Sequence, residues 1–586
     1  MSTSTSHPAD GGSPVLILGG GVNGACVARE LVLAGVPVVV VDEADLGGGA
    51  TAKSSRLIHG GLRYLEYADI GLVRESLAER ARLLKLAPHL VRPMRLHIPI
   101  ARRLGGLLQG GLRFVGLSRV AGVRQLINRW PIASSRGLWA VRFGLWMYDR
   151  IAARDGLPGH SVLVLGEPDS LPVNRSRYRW ECTYWDAQML APERFVVEVL
   201  RDACQAAGAR GVPLWVLPYH RAVLTKDGVR VAPVASERHS SSAPDGGETF
   251  EFTPSAIVNA TGPWGDFALR GLPIEAPRLC GGTKGSHLLT QHAGLRAAIG
   301  DDAIYAEADD GRLVFILPWG DSVMVGTTDE RFEGRPEEAI ASEEELAYLI
   351  AMANQVFPQV ELSRDEITLH YSGVRPLPYV PSGKTGAITR DHQIDVRRTP
   401  HGTPVYTLIG GKLTTCRALG ALAAGRVLEQ LGLPVVSHTE DRPLPGGVSY
   451  PASAAALRQR QSRLAESTDL PLPTIEQLWS LLGVELEPLL QAAGDRRNGA
   501  SSLERLPGTD WPVAIIDHII QHEWVTCLDD LIERRLMLLY DGPLTPETIA
   551  ALADRLRAIH PTAVADVSAT IARLRQHYGV TVADGV

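Results

Sequence analysis

The chain has 586 residues, 45% hydrophobic and 21% charged, with a formal net charge of −6. That length predicts more than one domain, and the slightly acidic balance excludes a global pull toward nucleic acid. The six cysteines, at 26, 182, 204, 280, 416 and 527, show no C-x-x-C or metal-ligand spacing and read as reduced thiols of a cytosolic protein.

The first twelve residues, MSTSTSHPADGG, form a polar tail that reads against a signal peptide. No charge-free apolar run is long enough to span a bilayer, so membrane contact is expected only at a surface. From Pro14 the chain becomes informative. The apolar run 15–18 predicts a buried strand, Gly19-Gly20-Gly21-Val22-Asn23-Gly24 is a G-x-G-x-x-G turn, 22–34 has helical spacing, and 38–41 is a second buried strand ending at Asp42. Gly19 allows the tight turn, Gly21 the backbone's approach to a pyrophosphate, and Gly24 close helix–sheet packing. The helix N-terminus offers unpaired N–H groups and a positive dipole end to the phosphates. Asp42 stands at about the spacing (~20 residues) of an acid that binds a ribose hydroxyl, and it would repel a 2′-phosphate. A dinucleotide site follows, NAD or FAD but not NADP.

The next residues separate these two. An NAD domain would continue with another helix and parallel strand. Here Ala50 to Arg56 form a polar, hydroxyl-rich loop with Thr51 and Ser55, followed by His59, Gly60, Gly61, Leu62, Arg63 and Tyr64. Such a loop suits backbone wrapped along an extended cofactor.

Residues 70–86 have helical spacing. From Arg80 to Tyr148 there is no Asp or Glu, while arginines recur among apolar residues; Trp139, Phe143 and Trp146 share one helical face, as do Val120, Val123, Ile127 and Trp130. Arginine with aromatics on an amphipathic segment is the composition of an interfacial membrane helix. The alternatives are a solvated basic surface, or basic residues paired with acids elsewhere; a nucleic-acid patch lacks any accompanying module.

A helix is expected over 192–207, then a hairpin from 221–231 and 250–258 with the Ser-rich tip 236–248 as a surface loop. Val258 to Trp264, with Thr261 and Gly262, returns the backbone toward the cofactor. Strands over 285–290, 313–318 and 323–328 predict an antiparallel sheet, and 337–357 a helix. The strand 405–409 runs into Gly410-Gly411-Lys412-Leu413-Thr414 and a helix over 416–431, a second helix N-terminus with close backbone approach. Beyond 434 only helical patterns remain, including 453–466, 512–525 and 546–560.

The segments SSRLIHGGLRYLE, VNATGPW, KGSH, VGTTD, SGVRPL, ITRD and GGKLTT, in this order over about 14–540, resemble the FAD-dependent, quinone-linked glycerol-3-phosphate dehydrogenases. The resemblance implies an α/β fold: a Rossmann-like FAD-binding domain, an antiparallel-sheet substrate domain and an α-helical C-terminal domain. The expected division is 14–100 with 186–266 and 374–433 for FAD, 101–185 with 267–373 for substrate and membrane, and 434–586 for the helices. The implied reaction oxidises sn-glycerol 3-phosphate to dihydroxyacetone phosphate by hydride transfer from C2 to FAD. Electrons then pass to membrane quinone from a cytoplasmic protein lying on the anionic inner face of the cell membrane, expected as a homodimer.

Arginine forks suit a phosphate dianion. Arg63, Tyr64, Arg375 and Arg390 are therefore the candidate substrate contacts. His287 is the leading base and Lys412 its electrostatic partner, with the reverse assignment also open; Arg375 completes the catalytic set. Cofactor contacts are expected from Gly19, Gly21, Asn23, Gly24, Asp42, Thr51, Ser55, Arg56, Gly61, Leu62, Thr261, Gly262, Gly411, Lys412, Leu413 and Thr414. No metal is expected, and FAD attachment is expected to be non-covalent. Arg56 stands where the family more commonly has lysine and Cys416 where it more often has tyrosine, and 102–135 is longer than usual. Three rival readings are a glycerol-3-phosphate oxidase using oxygen, a non-catalytic flavin-binding membrane scaffold, and an NAD dehydrogenase.

Overall fold

The computed structural model describes residues 12–65, 69–103, 137–152, 156–234, 249–308, 311–383, 385, 388–494, 503–540 and 544–580. Its nucleotide-binding sheet has six strands in the order Gln393–Arg398, Pro404–Ile409, Ala256–Asn259, Val15–Leu18, Val38–Val41, Leu214–Leu217. All neighbours are parallel except the first pair. Two adjacent inner strands, Val15–Leu18 and Val38–Val41, are wholly apolar because both faces are covered. Val15, Ile17, Val38 and Val40 pack under the helices Val22–Leu33, Pro192–Arg210 and Cys416–Gln430. Leu16, Leu18, Val39 and Val41 pack against a three-stranded meander and the helix Gly265–Gly271. Alternation within each strand thus serves two cores.

The expected hairpin is this meander, His220–Leu224, Val229–Pro233 and Phe250–Phe252, and its Ser-rich tip lies outside the described residues. The expected strand over 250–258 divides: Phe250–Phe252 ends the meander, and the chain then enters the nucleotide-binding sheet at Ala256.

A ten-stranded, mainly antiparallel sheet roofs this unit. Its longest pairing, at one end, joins Cys280–Thr290 to Ile367–Pro378. Val91–Ile100 belongs to this roof, paired with Trp180–Met189, although its place in the chain had put it with the FAD segments. One parallel pairing, of Ala303–Glu307 with Val91–Ile100 through Ala303–Leu96 and Ile304–His97, joins the two halves of the roof. There buried His97 lies between Glu181 and Asp302, 3.0 and 3.4 Å away. The helix expected from 337 starts at Glu343, because Ser342 and Glu345 form a capping box that satisfies the first N–H groups.

The C-terminal region is helical, from Ala454–Thr468 to Val567–Tyr578, and packs on the roof through Tyr540 stacked on Trp319 at 4.8 Å. Among the described residues no helix is long and apolar enough to cross a membrane.

Candidate active site

The dinucleotide turn is built from contacts that only glycine allows. Gly19 has φ +99°, and a Cβ there would lie 2.7 Å from the Ala260 carbonyl oxygen. A Cβ on Gly24 would lie 1.9 Å from the Gly19 carbonyl oxygen, so any side chain there would push the helix off the sheet. Gly21 begins the helix without a side-chain cap, and Val22 N–H donates to Thr51 Oγ1 at 3.1 Å. Asp42 accepts from Gly20 N at 2.7 Å and Ala44 N at 2.9 Å. Burial nevertheless pushes its carboxyl up to about 7, against the pull of these two donors.

The second glycine turn faces the first. Gly410 and Gly411 have φ of +79° and +90°, and a Cβ on Gly411 would lie 3.2 Å from the Asn23 amide. Asn23 Oδ1 is buried with no hydrogen-bond partner among the described residues. A helix N-terminus with no cap from Gly21 itself, a cradle that a Cβ would fill and an orphaned polar atom fit a bound dinucleotide. Thr414 Oγ1 accepts from His59 N at 3.1 Å, tying this turn to the Arg56–Tyr64 segment. Thr261 Oγ1 donates to Asn259 Oδ1 at 2.7 Å, and Gly262 next to it has φ +60°.

Under the roof, strand register brings the remaining groups together. Thr283 pairs with Arg375 and His287 with Tyr371. Two glycines clear the space: a Cβ on Gly285 would lie 2.1 Å from Arg375 Nη2, and one on Gly326 2.3 Å from His287 Cδ2. Arg375 donates to Thr327 Oγ1 at 3.0 Å, to the Thr328 carbonyl at 3.3 Å and to Asp329 Oδ1 at 3.2 Å. Arg390 Nη2 lies 3.8 Å from the other Asp329 oxygen, so one carboxylate lies between two guanidiniums. Burial, then the charges of Arg390 and Arg63, depress Arg375 to about 10 despite Asp329. Burial raises the Tyr64 phenol while the same three arginines pull it back. Arg63, Tyr64, Arg375 and Arg390, scattered over more than 300 positions in the sequence, therefore share one site.

Lys412 Nζ donates to Ser76 Oγ at 2.6 Å and lies 4.6 Å from the centre of the Tyr64 ring. Burial brings it down to about 8, opposed by Glu75, Asp69 and Asp391. His287 Nε2 is 2.9 Å from Ser55 Oγ, and its ring stacks on Tyr371 at 4.8 Å. Burial, then Arg375 and Arg56, hold the imidazole well below its usual range, so it is neutral.

One expectation is corrected. The Arg56 side chain does not reach the cofactor site. It is fully buried in a two-pronged ion pair with Glu193, at 2.7 and 2.6 Å, and stacks between Trp319 and Tyr540. Several acid-free-segment arginines are likewise paired: Arg80 with Asp186, Arg95 with Asp302. The structure adds two further participants. His59, held at about 4 by burial and the nearby Lys412, Arg390 and Arg80 although Asp186 opposes them, borders Tyr64; Asp329 bridges the arginines. The Gly-Gly after His59 was the available signal for the first.

A Rossmann sheet with this turn, roofed by an antiparallel sheet over a cationic pocket, defines a flavin-dependent oxidoreductase. Residues 14–426 match the family described as DAO, FAD dependent oxidoreductase, and FAD is the cofactor. The chain is 33% identical to a glycerol-3-phosphate dehydrogenase of Synechocystis sp. over 89% of its length and 88% of the relative's. It is 31% identical to the aerobic glycerol-3-phosphate dehydrogenase of Escherichia coli, over 89% and 93%. It is also 31% identical to a D-erythritol 1-phosphate dehydrogenase of Brucella abortus, again over 89% and 93%. A Bacillus halodurans glycerol-3-phosphate dehydrogenase solved with FAD shares the fold, with a TM-score of 0.66 at 18% identity over 98% of this chain and 95% of that one. The chain thus belongs to the FAD-dependent glycerol-3-phosphate dehydrogenase family within the FAD dependent oxidoreductases.

Proposed function

We propose that the protein oxidises sn-glycerol 3-phosphate at C2 to dihydroxyacetone phosphate and passes the electrons to quinone from the inner face of the cell membrane. The observation carrying the substrate assignment is the convergence of Arg375 and Arg390 on one carboxylate, Asp329, at 3.2 and 3.8 Å; burial, then the charges of Arg390 and Arg63, depress Arg375 to about 10. Such a guanidinium gains most from a dianion, and arginine forks bind phosphate through paired N–H groups. Arg63, Tyr64, Arg375 and Arg390 would hold that phosphate.

FAD, when bound, supplies the hydride acceptor. Gly19, Gly21, Asn23 and Gly24 would face its pyrophosphate and Asp42 its ribose. Thr51, Ser55, Gly61, Leu62, Thr261, Gly262, Gly411, Lys412, Leu413 and Thr414 would line its remaining length. Neutral His287 accepts the C2 hydroxyl proton. Its proton affinity rises when substrate phosphate offsets Arg375, the largest charged contribution to its depression. Lys412, as a cation, stabilises negative charge developing on the C2 oxygen. In this reading 14–100, 186–266 and 374–433 hold the cofactor, with Val91–Ile100 contributed to the roof.

Membrane docking is supported by the helix Leu138–Ala152, where Trp139, Phe143 and Trp146 are 49%, 54% and 46% exposed. Arg142 and Arg150 lie over the Trp139 and Trp146 rings at 5.6 and 4.9 Å. The other proposed amphipathic face, Val120 to Trp130, and most of 102–135 lie outside the described residues.

Anaerobic titration of the yellow protein with glycerol 3-phosphate, erythritol 1-phosphate and free glycerol tests the assignment. Glycerol 3-phosphate is expected to bleach the flavin at the lowest concentration and free glycerol to leave it oxidised. Preferential bleaching by erythritol 1-phosphate would reassign the substrate, and rapid aerobic peroxide formation would replace quinone by oxygen.

A further inference from the structure

The loop 45–56 links the two halves of the site, since Thr51 meets the dinucleotide helix at Val22 and Ser55 meets His287. Its own supports come from the far end of the chain. Buried Asp45 accepts from Arg535 Nη1 at 2.8 Å and Nη2 at 2.7 Å, and also from Arg534. Lys53 Nζ donates to the Tyr578 hydroxyl at 2.6 Å and lies 3.9 Å from the centre of that ring. Tyr578 donates in turn to Glu533 at 2.6 Å, and Glu533 also pairs with Arg534 and Arg573. The Arg56 guanidinium rests on Tyr540. Asp530–Arg535 forms a π-helical turn, whose wider winding sets the adjacent Arg534 and Arg535 on the same carboxylate.

We infer that the C-terminal helical region is a positioning clamp on the flavin-side loop: Arg534 and Arg535 hold its start, Tyr578 its middle through Lys53, and Tyr540 its end through Arg56. These are positioning residues, acting through Thr51 and Ser55. Residues 53–56 of the loop are all polar and meet their neighbours through hydrogen bonds, an ion pair and ring contacts. A desolvated Lys53, brought down to about 8 by burial although Glu533 opposes this, is stable only while these partners surround it. The clamp makes order in the C-terminal helices a condition for an ordered cofactor site. Its link to catalysis rests on the reading of Ser55 and His287 given above; its link to FAD does not.

The test is FAD dissociation, followed by flavin fluorescence, together with the visible spectrum of bound flavin and the melting temperature of the apoprotein. Tyr578→Phe keeps the ring and removes the hydroxyl shared by Lys53 and Glu533. Loss of a hydrogen bond to a charged group predicts roughly tenfold weaker FAD binding. Asp45→Asn is expected to act likewise, and an Asp45→Asn/Arg535→Gln pair to weaken binding by less than the sum of its singles. A shifted flavin spectrum and a kcat loss exceeding any KM change are expected in Tyr578→Phe. Unchanged FAD affinity and spectrum in both single variants, with only the apoprotein melting lower, would overturn the clamp and leave a packing role. If Tyr578→Phe does not fold, Asp45→Asn alone decides the matter by the same measurements.

Discussion

At the residue scale the site's charges are tuned by burial, and this makes pH a probe. Asp42 rises to about 7 without ribose donors, and hydroxyls that hydrogen-bond its ionised form bind better as it deprotonates. FAD affinity is therefore expected to increase between about pH 6 and 8 and then level off. Asp42→Ala should flatten that profile and weaken binding by roughly 1.5–3 kcal/mol, as read by equilibrium dialysis. Lys412 falls to about 8, so a cationic role predicts kcat/KM declining above that pH. Lys412→Arg, which keeps its charge, should retain alkaline activity; a rate that instead rises through pH 8 would make Lys412 the base and His287 its partner. The sign for stability is opposite. The folded state disfavours the charged amine, so that penalty is relieved as pH rises from about 8 toward 10.5. Arg375→Leu removes the fork and leaves Asp329 facing Arg390. It is expected to cut kcat/KM for glycerol 3-phosphate by at least about a hundredfold with FAD content unchanged, measured by dye reduction and flavin absorbance.

At the scale of single elements, legibility followed burial. Val15–Leu18, Val38–Val41 and Ile70–Leu86 form over the bounds that periodicity predicts, since an apolar run or stripe has one way to be buried. The helix after 337 starts later than expected because a local cap, not hydrophobic spacing, sets its first turn. The helix Leu138–Ala152 buries Leu138, Val141, Leu145 and Tyr148 and exposes the opposite aromatic stripe. Phe143 and Trp146 stack on each other at 5.9 Å. Replacing Trp139, Phe143 and Trp146 together by Ser is expected to reduce co-sedimentation with anionic liposomes and quinone reduction, while dye-linked activity stays intact. Binding by the unchanged protein should weaken at high salt but persist, because salt screens the arginines and not the rings.

At the scale of the whole molecule, buried ion pairs join the C-terminal helices to the cofactor unit. Arg194 on the helix Pro192–Arg210 pairs with Glu523, and both side chains are inaccessible to solvent. Burial alone would raise the Glu523 carboxyl, but Arg194 and Arg201 hold it below its usual value. It thus contributes stability above the unfolded value near 4.5, lost as pH falls through the lower folded value. Glu523→Ala leaves a buried guanidinium unpaired and is expected to cost about 3–5 kcal/mol in urea denaturation. Because these pairs span the two regions, FAD release and unfolding of the helices should fall in one transition; separate transitions by flavin fluorescence and far-ultraviolet dichroism would show the regions to be independent.

The sequence by itself determined the dinucleotide turn, the buried parallel strands, the helical C-terminus and the family. Each rests on local chemistry: glycine where a Cβ would collide, apolar runs where both faces are covered, and motifs in a set order. Tertiary structure alone decided that Arg56 serves Glu193 rather than the cofactor, that Asp329 lies between Arg375 and Arg390, and that Tyr578 supports Lys53. A charged side chain's role depends on which opposite charge the fold brings within hydrogen-bonding reach after water is removed. For Lys53 the hydrogen-bond partner, the neutral Tyr578 hydroxyl, is 525 positions away in the chain, a distance over which residue type and spacing carry no information.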